Sequence, residues 1–495
     1  MLRGSNASHS GAGPIILGLD YDSRRVKSGW AFVAMHGEAT DGNRYIDLAL
    51  KNGAVAVVTD SATESPRPGV AWAVVPHGRK ALAQLSANFY GHPAKEVKIV
   101  GVTGTNGKTT TTFLLESILK SCGKAPALIG TIEYHVAGKV LPAPHTTPES
   151  LELNRLFAEA RAGGAGDVVM EVSSHALEQG RVFGIHYDVA VFTNLTRDHL
   201  DYHKDMESYF AAKRMLFSGQ AQPPRTAVIN ADDEYGNALL SSSRSWSEQV
   251  LSYGIRQGEF QAVNVDLQPQ GTAFDLMSPW GEAKIGSSLI GRVNVYNLLA
   301  ACAAAVARGC SLEQIAQAVA RFRQVPGRFE RVDSGQPFTV VVDYAHTDDA
   351  LRNLTAIARD LVSRSGSKGR VLTVFGCGGD RDRTKRPLMG EAAGNGSDFV
   401  VLTSDNPRTE EPQKIIEDAL AGLEKSGARY TVEPDRRKAV AVALMEAKAG
   451  DVVLIAGKGH EKIQITREGA LPFDDVQVAR EALQRMGFGL HKGAQ

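Results

Sequence analysis

The chain has 495 residues, of which 43% are hydrophobic and 22% are charged, and this composition is typical of a globular protein with several domains. Lys and Arg together number 55, as do Asp and Glu, so no basic excess indicates a nucleic-acid or membrane-surface partner. The four cysteines form no C-x-x-C pair and the polar start shows no signal-like pattern, so we expect reduced thiols in a cytoplasmic protein. The longest apolar run, 298–307, is too short to cross a bilayer and predicts a buried helix.

The first part of the chain, residues 1–97, has the pattern of a small α/β domain. Short apolar runs predict strands, and stretches with apolar residues at helical spacing predict helices. The predicted strands are at 30–35, 55–58 and 71–75, and the predicted helices are at 45–52 and 79–90. Gly91-His-Pro93 then ends the last helix and provides a linker.

The second part, residues 98–330, predicts a central domain around a mostly parallel sheet. Apolar strands alternate with helical stretches, and a strand-rich segment follows them. The predicted strands are at 97–102, 168–170 and 189–192, and the strand-rich segment is at 225–290. In such sheets ligands gather at the carboxyl ends of the strands, so the residues that follow each strand are candidates for a site.

A glycine-rich loop follows the first of these strands, in Ile99-Val-Gly-Val-Thr-Gly-Thr-Asn-Gly-Lys-Thr-Thr110. Strand, glycine loop and helix are the parts of a phosphate-binding loop, because backbone N–H groups and the helix N-terminus attract an anion. Lys108 can reach β- and γ-phosphates, and a Thr hydroxyl can bind Mg²⁺. The strict G-x-x-x-x-G-K-[ST] pattern fails at Val102, so an ordinary strand-to-helix turn remains the alternative.

The third part, residues 331–495, predicts a Rossmann-like domain. Its predicted strands are at 339–342, 371–375, 399–403 and 452–456, and its predicted helices are at 347–362, 411–424 and 435–448. The first turn lacks G-x-G-x-x-G, so we predict no dinucleotide there. Three loops rich in glycine and charge follow strands, at 376–383, 405–408 and 457–461, and together they predict a site for a small zwitterion or an anion.

Polar side chains also follow the strands of the central domain. Glu171 and His199 stand where a carboxylate and a neutral imidazole would bind Mg²⁺ near a triphosphate, although a hydrogen-bonded pair at a sheet edge fits equally well. Lys213, taken alone, reads as a solvated helix lysine. Four histidines between 175 and 203 lack the ligand spacing of a zinc site.

Six motifs in this order resemble the Mur ligases, the ATP-dependent amide-bond synthetases of peptidoglycan assembly. They are Gly104-Thr-Asn-Gly-Lys-Thr-Thr110, Glu171-Val-Ser-Ser-His175, Thr193-Asn-Leu-Thr-Arg-Asp-His-Leu-Asp-Tyr-His203, Asn294-Val-Tyr-Asn297, Gly327-Arg-Phe-Glu330 and Asp343-Tyr-Ala-His346. The resemblance runs from about residue 22 to 461. It implies an α/β protein of three domains, with a sugar-nucleotide domain at 1–97, a P-loop-type ATPase domain at 98–330 and a Rossmann-like amino-acid-binding domain at 331–495.

The resemblance also implies roles for individual residues. For ATP they are Gly104, Thr105, Asn106, Gly107, Lys108, Thr109, Thr110, Asn294, Arg328 and Asp343; for Mg²⁺ they are Thr109, Glu171, His199 and Lys213 as a carbamate. The sugar-nucleotide dipeptide would meet Ser23, Thr146, Thr147, Ser173, Gln179 and Arg181. The incoming amino acid would meet Arg381, Asp405, Asn406, Pro407, Arg408, Gly457 and Glu461. The implied catalytic residues are Lys108, Glu171, His199, Lys213 and Arg328.

The implied reaction joins meso-diaminopimelate to the D-Glu γ-carboxylate of UDP-MurNAc-L-Ala-D-Glu through an acyl phosphate, with ATP and Mg²⁺, in a cytoplasmic monomer. The Asp405-Asn-Pro-Arg408 form resembles family members that select diaminopimelate, since an arginine fork suits its distal carboxylate. The alternatives are a ligase that adds L-lysine, a sister ligase such as folylpolyglutamate synthetase, and a binding protein that hydrolyses ATP slowly.

Overall fold

The computed structural model describes residues 2, 8–10, 13–37, 40–219, 222–364 and 368–489. Within these residues the strands form three large sheets and one two-stranded hairpin. The large sheets draw their strands from separate stretches of the chain, and helices cover their faces. Across the same residues, no helix combines the length and the apolar character needed to span a membrane.

The first sheet has the strand order β1-β5-β4-β3-β2 and is parallel except for β1, which pairs antiparallel with β5. The strands are β1 (Ser8–Ser10), β2 (Gly18–Asp20), β3 (Trp30–Ala34), β4 (Ala56–Thr59) and β5 (Ala71–Val74). The helices are α1 (Ile46–Lys51) and α2 (Gly78–Phe89), with short 3-10 helices at Gly42–Tyr45 and Pro93–Lys95.

The central sheet has eleven strands in the order β16-β15-β14-β13-β12-β11-β6-β10-β7-β8-β9. The strands are β6 (Lys98–Thr103), β7 (Pro126–Ile129), β8 (Glu133–Val136), β9 (Lys139–Pro142), β10 (Asp167–Glu171), β11 (Val189–Phe192), β12 (Thr226–Asn230), β13 (Gln249–Gly254), β14 (Phe260–Gln268), β15 (Gly271–Ser278) and β16 (Gly281–Ser287). Its middle is parallel from β14 to β7, and an antiparallel pair of strands extends each edge.

Helices pack on both faces of the central sheet. They are α3 (Lys108–Ser121), α4 (Ser150–Ala162), α5 (Ser174–Glu178), α6 (Leu200–His203), α7 (Met206–Ser218), α8 (Glu234–Trp246), α9 (Arg292–Ala307) and α10 (Leu312–Arg321). One core contains α3, α9 and α10, and the core of the opposite face contains α4, α7 and α8. The alanine-rich α9 is apolar almost all round and is buried, as predicted, against α3.

The third sheet has the order β17-β18-β22-β19-β20-β21 and is parallel except for β17. The strands are β17 (Glu330–Arg331), β18 (Thr339–Asp343), β19 (Val371–Phe375), β20 (Phe399–Leu402), β21 (Arg429–Val432) and β22 (Val452–Ala456), and β23 (Ile463–Thr466) and β24 (Gly469–Pro472) form the hairpin. The helices are α11 (Asp348–Arg364), α12 (Lys385–Gly396), α13 (Pro412–Leu423), α14 (Arg436–Glu446) and α15 (Asp475–Arg485), with a 3-10 helix at Glu424–Ser426.

The predicted fold class, α/β with mostly parallel sheets, is confirmed. The predicted strands in the middle of the sheets lie within a residue or two of the observed ones, because each is a fully buried apolar run. The strand-rich segment at 225–290 also contains a helix, α8, that the sequence did not indicate. Glu330, predicted to end the central domain, begins β17 of the third sheet instead.

Candidate active site

A cleft of about 460 Å³ opens between the central and the C-terminal domains. The central domain lines it with the glycine loop, the start of α3, the ends of β10 and β11, and the start of α9. The C-terminal domain contributes the end of β18 and the first turns of α11. The strands β6, β10 and β11 are parallel neighbours, so the residues after them meet at one edge of the sheet.

The glycine loop turns on two residues in conformations that other side chains avoid. Gly104 has φ +148° and Gly107 has φ +88°, and a Cβ at Gly104 would lie 1.9 Å from the hydroxyl of Thr193. The loop is fixed from outside, since the N–H of Thr105 donates to the carbonyl of Asn194 at 2.8 Å. Lys108 curls back into the loop and donates to the carbonyls of Gly104 and Thr105, both at 2.9 Å. Desolvation in the cleft lowers the pKa of Lys108.

Glu171 ends β10 fully buried, with its carboxylate held toward the cleft by Thr131. The N–H of Thr131 donates to Oε1 at 2.8 Å, and its hydroxyl donates to Oε2 at 2.9 Å. His199 also lines the cleft; its backbone is in the left-handed region, φ +55°, and its Nε2 lies 3.3 Å from the Asp198 carboxylate. Desolvation lowers the pKa of His199, so the half-exposed imidazole is neutral at neutral pH and keeps a ring nitrogen that can bind a metal.

Lys213 is buried, so the interpretation of it as a solvated helix lysine is wrong. Its Nζ donates to the carbonyl of Gly104 at 2.8 Å and lies 4.6 Å from the centre of the Tyr209 ring. Among the described residues no carboxylate lies within ion-pair distance of it. Burial, and then the nearby charge of Lys108, lowers the pKa of Lys213 well below its ordinary value. Both effects favour the neutral form of the amine.

The remaining residues predicted for ATP lie around the same cleft, with Arg328 and Asp343 opposite the glycine loop and Asn294 on α9 of the central domain. Arg328 reaches the start of α3, where it donates to the Thr109 hydroxyl at 3.2 Å, and its guanidinium lies 4.5 Å from the centre of the Tyr344 ring. Asp343 ends β18 and accepts the N–H groups of Phe329 at 2.7 Å and Ala345 at 2.8 Å. Asn294, in the first turn of α9, donates to the carbonyl of Ile290 at 2.8 Å.

Polar contacts join the two domains around the cleft. Asn106 of the glycine loop donates to the carboxylate of Asp349 on α11 at 2.9 Å. Arg197 donates to the hydroxyl of Thr384 at 2.9 Å. Lys385, the first residue of α12, lies 3.9 Å from Asp198. The glycine loop and the segment that carries His199 are thus both in contact with the C-terminal domain.

The residues predicted for the sugar-nucleotide dipeptide divide into three groups. Thr146 and Ser173 line the cleft beside Glu171. Thr147 and Arg181 are connected to them, because the Thr147 hydroxyl accepts the N–H of Ser173 at 3.0 Å and Arg181 donates to the Thr147 carbonyl at 3.2 Å. Gln179 accepts two hydrogen bonds from Arg181. Ser23 is buried in the first domain, which contacts α4 through Arg25 and Glu152 at 3.4 Å.

The residues predicted for the amino acid cluster at the carboxyl ends of β19, β20 and β22, which are neighbours in the third sheet. Asn406 donates to Glu461 at 2.8 Å, and a Cβ at Gly457 would lie 2.5 Å from the Asp405 carboxylate. Arg408 has φ +53° and donates to the carbonyl of Gly379 at 2.7 Å. Desolvation, and then the charge of Arg381, lowers the pKa of Arg408.

The rest of this set surrounds the same loops. Arg381 donates to the carbonyl of Asp380 at 2.9 Å. The carbonyl of Pro407 passes so close to Gly379 that a Cβ there would lie 1.9 Å from it. The hairpin holds the 405–408 loop from the other side, because the N–H of Arg408 donates to the carbonyl of Ile465 at 3.0 Å. The predicted meeting of three strand-end loops at one sheet edge is confirmed.

Sequence reasoning gave no role to several residues that the structure brings into these sites. Three of them lie within the motifs described above, so their sequence position already indicated that they belong to the sites. They are Asp198, Asn297 and Lys458. Thr131 and Asp349 carried no such signal, because the residues they contact are 40 and 243 positions away. No group of three or more metal-binding His, Cys, Asp or Glu side chains occurs in the described part of the chain.

Three family profiles match successive stretches of the chain. The "Mur ligase family, catalytic domain" matches residues 16–90, the "Mur ligase middle domain" matches 102–305, and the "Mur ligase, glutamate ligase domain" matches 327–459.

Individual proteins are similar over nearly the whole length. A protein of Solibacter usitatus (strain Ellin6076) named UDP-N-acetylmuramoyl-L-alanyl-D-glutamate--2,6-diaminopimelate ligase is 51% identical, across 96% of this chain and 95% of that protein. A protein of the same name from Geobacillus thermodenitrificans (strain NG80-2) is 46% identical, across 96% of each. A solved structure of a protein with this name is 35% identical, with a TM-score of 0.67 over 95% of both chains. On this identity and coverage, the chain belongs to the Mur ligase family.

Proposed function

We propose that this protein is an ATP-dependent amide ligase that joins meso-diaminopimelate to the D-Glu γ-carboxylate of UDP-MurNAc-L-Ala-D-Glu, a step of peptidoglycan precursor synthesis. Relatives at 46% and 51% identity carry the name of this activity. The observation that carries the proposal is the position of Asp343 between the residues predicted for ATP and those predicted for the amino acid. Its carboxylate holds the N–H of Phe329 beside Arg328, and its carbonyl accepts the N–H of Gly457 at 3.0 Å.

The glycine loop and α3 bind the phosphates of ATP. The loop presents backbone N–H groups and Lys108 at the positive end of a helix dipole, which favours a polyanion. Arg328 approaches the same point from the opposite wall, at Thr109. Two cations that converge on one point neutralise the charge that phosphoryl transfer spreads over the γ-phosphate.

The side chains around Glu171 fit Mg²⁺ held partly by the nucleotide. Mg²⁺ usually takes one or two carboxylates from a protein and its other ligands from phosphates and water. Glu171 would supply a carboxylate, which Thr131 orients, Thr109 would supply a hydroxyl, and His199 would supply a neutral nitrogen. When bound, Mg²⁺ neutralises charge on the phosphates and orients them.

Lys213 is suited to carry a carbamate. Its neutral amine attacks the carbon of CO₂ and the nitrogen then loses a proton to solvent, which replaces a neutral amine with a carboxylate-like anion. The lowered pKa of Lys213 favours this reaction, because only the neutral amine is a nucleophile. The anion would also lie close to Lys108, whose charge opposes a protonated Lys213 and favours a negative one.

The reaction runs in two steps across the cleft. The γ-carboxylate of D-Glu, held near Thr146 and Ser173, attacks the γ-phosphorus of ATP, so that ADP leaves and an acyl phosphate forms. The α-amine of diaminopimelate then attacks the acyl carbon, and the tetrahedral adduct expels phosphate and forms the amide. The protein contributes positioning and charge neutralisation, and the two-domain cleft excludes water from an easily hydrolysed intermediate.

The amino-acid site fits a ligand whose distal end carries both a carboxylate and an ammonium. Arg408 and Arg381 offer planar donors for carboxylates, whereas Asp405 and Glu461 accept from an ammonium. Diaminopimelate has a distal carboxylate and a distal ammonium, whereas lysine has the ammonium alone. The loop 405–408, with Arg408, therefore favours diaminopimelate over lysine. We place the enzyme in the cytoplasm as a monomer that takes small-molecule substrates.

The test is phosphate release by the purified protein with ATP, Mg²⁺ and UDP-MurNAc-L-Ala-D-Glu, with meso-diaminopimelate or L-lysine as the third substrate. We expect rapid release only with diaminopimelate. Release only with lysine would keep the ligase and overturn the specificity argument from Arg408. Release with neither, but with a folate and glutamate, would replace this proposal with the sister ligase. Release that is independent of any acceptor would indicate a simple ATPase.

A further inference from the structure

Lys458 is a fully buried lysine in the middle of the amino-acid cluster, between Gly457 and the Glu461 carboxylate. Its Nζ donates to Asn406 Oδ1 at 3.0 Å and to Glu461 Oε2 at 3.0 Å, and it lies 3.7 Å from Asp405. Lysine is rarely buried without a partner, because its ammonium is strongly hydrated in water. Here the partners are three residues proposed to bind the amino acid.

The first consequence concerns the orientation of the Asn406 amide. Oδ1 of Asn406 accepts both Lys458 Nζ and the N–H of Ile465, the latter at 2.9 Å. With two donors on the oxygen, the amide nitrogen must turn the other way, where it donates to Glu461 at 2.8 Å. Lys458 thus acts together with the N–H of Ile465 to turn the nitrogen of the Asn406 amide toward Glu461.

The second consequence concerns the two carboxylates. Glu461 Oε2 accepts from both Asn406 and Lys458, which fixes the side chain and leaves Oε1 for other donors. The Asp405 and Glu461 carboxylates lie 3.7 and 3.0 Å from Lys458 Nζ, and without this cation the two like charges would repel each other. Asp405 and Glu461 together carry two negative charges, and the ammonium of Lys458 cancels one of them. The remaining single negative charge matches a single substrate ammonium.

We propose that Lys458 is a positioning residue for the amino-acid substrate: it orients Asn406 and Glu461 and sets the charge of the pocket that receives the substrate ammonium. This inference rests on the proposed function. Lys458 does not touch the substrate, because its Nζ is enclosed by its protein partners.

The experiment compares KM for meso-diaminopimelate, KM for ATP and kcat in the wild type and in Lys458→Met, which keeps an unbranched side chain one atom shorter and removes the charge. Lys458→Gln is the second variant, because an amide still donates to Asn406 but carries no charge. The matched control is Lys462→Met, in the same loop, whose side chain is 62% exposed and pairs with Asp474 at 2.7 Å. Direct binding of meso-diaminopimelate by calorimetry and the melting temperature are measured for each variant.

We expect at least a tenfold rise in KM and in the dissociation constant for diaminopimelate in Lys458→Met, with KM for ATP unchanged within twofold. Lys462→Met should match the wild type. In the double variant Lys458→Met/Asn406→Ala the two effects should be less than additive, since one acts through the other.

An unchanged KM for diaminopimelate in both Lys458 variants would overturn the inference. So would an equal rise in every KM together with a lower melting temperature, which would indicate a structural role only, and so would full additivity with Asn406→Ala. Absence of diaminopimelate-dependent phosphate release by the wild type would overturn the proposed function instead, so the two failures are distinguishable.

Discussion

Asp475→Asn should destabilise the C-terminal domain, because it leaves the guanidinium of Arg436 buried beside a neutral partner. Both side chains are fully buried, and Nε and Nη2 of Arg436 donate to the Asp475 carboxylate at 2.9 and 2.7 Å. The same Nη2 donates to the carbonyl of Ala456 at 3.0 Å, immediately before Gly457. Removing this carboxylate therefore affects both the domain and the loop of the amino-acid site.

The magnitude follows from burial. Removing one partner of a buried ion pair destabilises a protein by about 3–5 kcal/mol, because the other charge stays desolvated and unpaired. In a domain of this size each kcal/mol lowers the melting temperature by roughly 2–4 °C, so we expect a decrease of about 6–20 °C. Replacing both residues with apolar ones, Arg436→Met/Asp475→Leu, should destabilise much less than Asp475→Asn alone.

The assay is differential scanning calorimetry together with tryptophan fluorescence. All four tryptophans, Trp30, Trp72, Trp246 and Trp280, precede the C-terminal domain, so fluorescence reports unfolding of the other two domains. The calorimetric transition of the C-terminal domain should move while the fluorescence transition stays. The control is Arg437→Met, which breaks an exposed pair and should shift stability by less than about 1 kcal/mol. A decrease below about 3 °C in Asp475→Asn, or one equal to the control, would refute the reasoning.

Three further predictions concern single residues. Lys108→Ala should lower kcat for phosphate release by about 10²–10³-fold or more, as loss of a charge-stabilising donor does, whereas Lys120→Ala on the exposed end of the same helix should not; normal turnover in Lys108→Ala would contradict the phosphate role. Arg408→Lys should raise KM for diaminopimelate roughly tenfold or more, since hydrogen bonds to charged groups contribute about 1.5–3 kcal/mol, and an unchanged KM measured by phosphate release would contradict the carboxylate fork. His135 lies between two carboxylates at 2.7 and 2.9 Å that raise its pKa above the ordinary 6.5. It therefore stabilises the fold below about pH 6.5, and this stabilisation is lost as pH rises through the raised pKa. The difference in melting temperature between the wild type and His135→Gln should shrink over that range, and a constant difference would contradict it.

The sequence predicted the buried strands well because their apolar runs leave no other interpretation. It did not indicate α8, whose serines, asparagine and glycine are poor helix formers. That helix is stabilised by tertiary structure instead: Leu239 is buried in the core beneath it, and Asp233 caps it by accepting the N–H of Gly236 at 3.0 Å. In this segment the local propensity disfavours a helix, and the helix forms because tertiary packing stabilises it.

The candidate site could be predicted where its functional side chains follow one another within a single sequence motif. The residues of the glycine loop follow one another in the chain, so spacing alone brought them together. The burial of Lys213 was not predictable in this way, since a lysine on a helix is usually exposed and its partner, the carbonyl of Gly104, is 109 residues distant. Only resemblance to a family predicted a role for it, and the structure shows that its side chain is buried.

The hydrogen bond of 2.9 Å between Asn106 and Asp349 has a consequence for product release. Because of this bond, the conformation of the glycine loop and the position of α11 depend on each other. Coupling of this kind is reciprocal: if nucleotide in the loop favours the closed arrangement of the domains, separation of the domains must weaken the grip of the loop on nucleotide by the same free energy. Under the proposed function, opening of the cleft and departure of ADP would then be linked, and a ligand that held α11 away from the loop would inhibit the enzyme without occupying the nucleotide site.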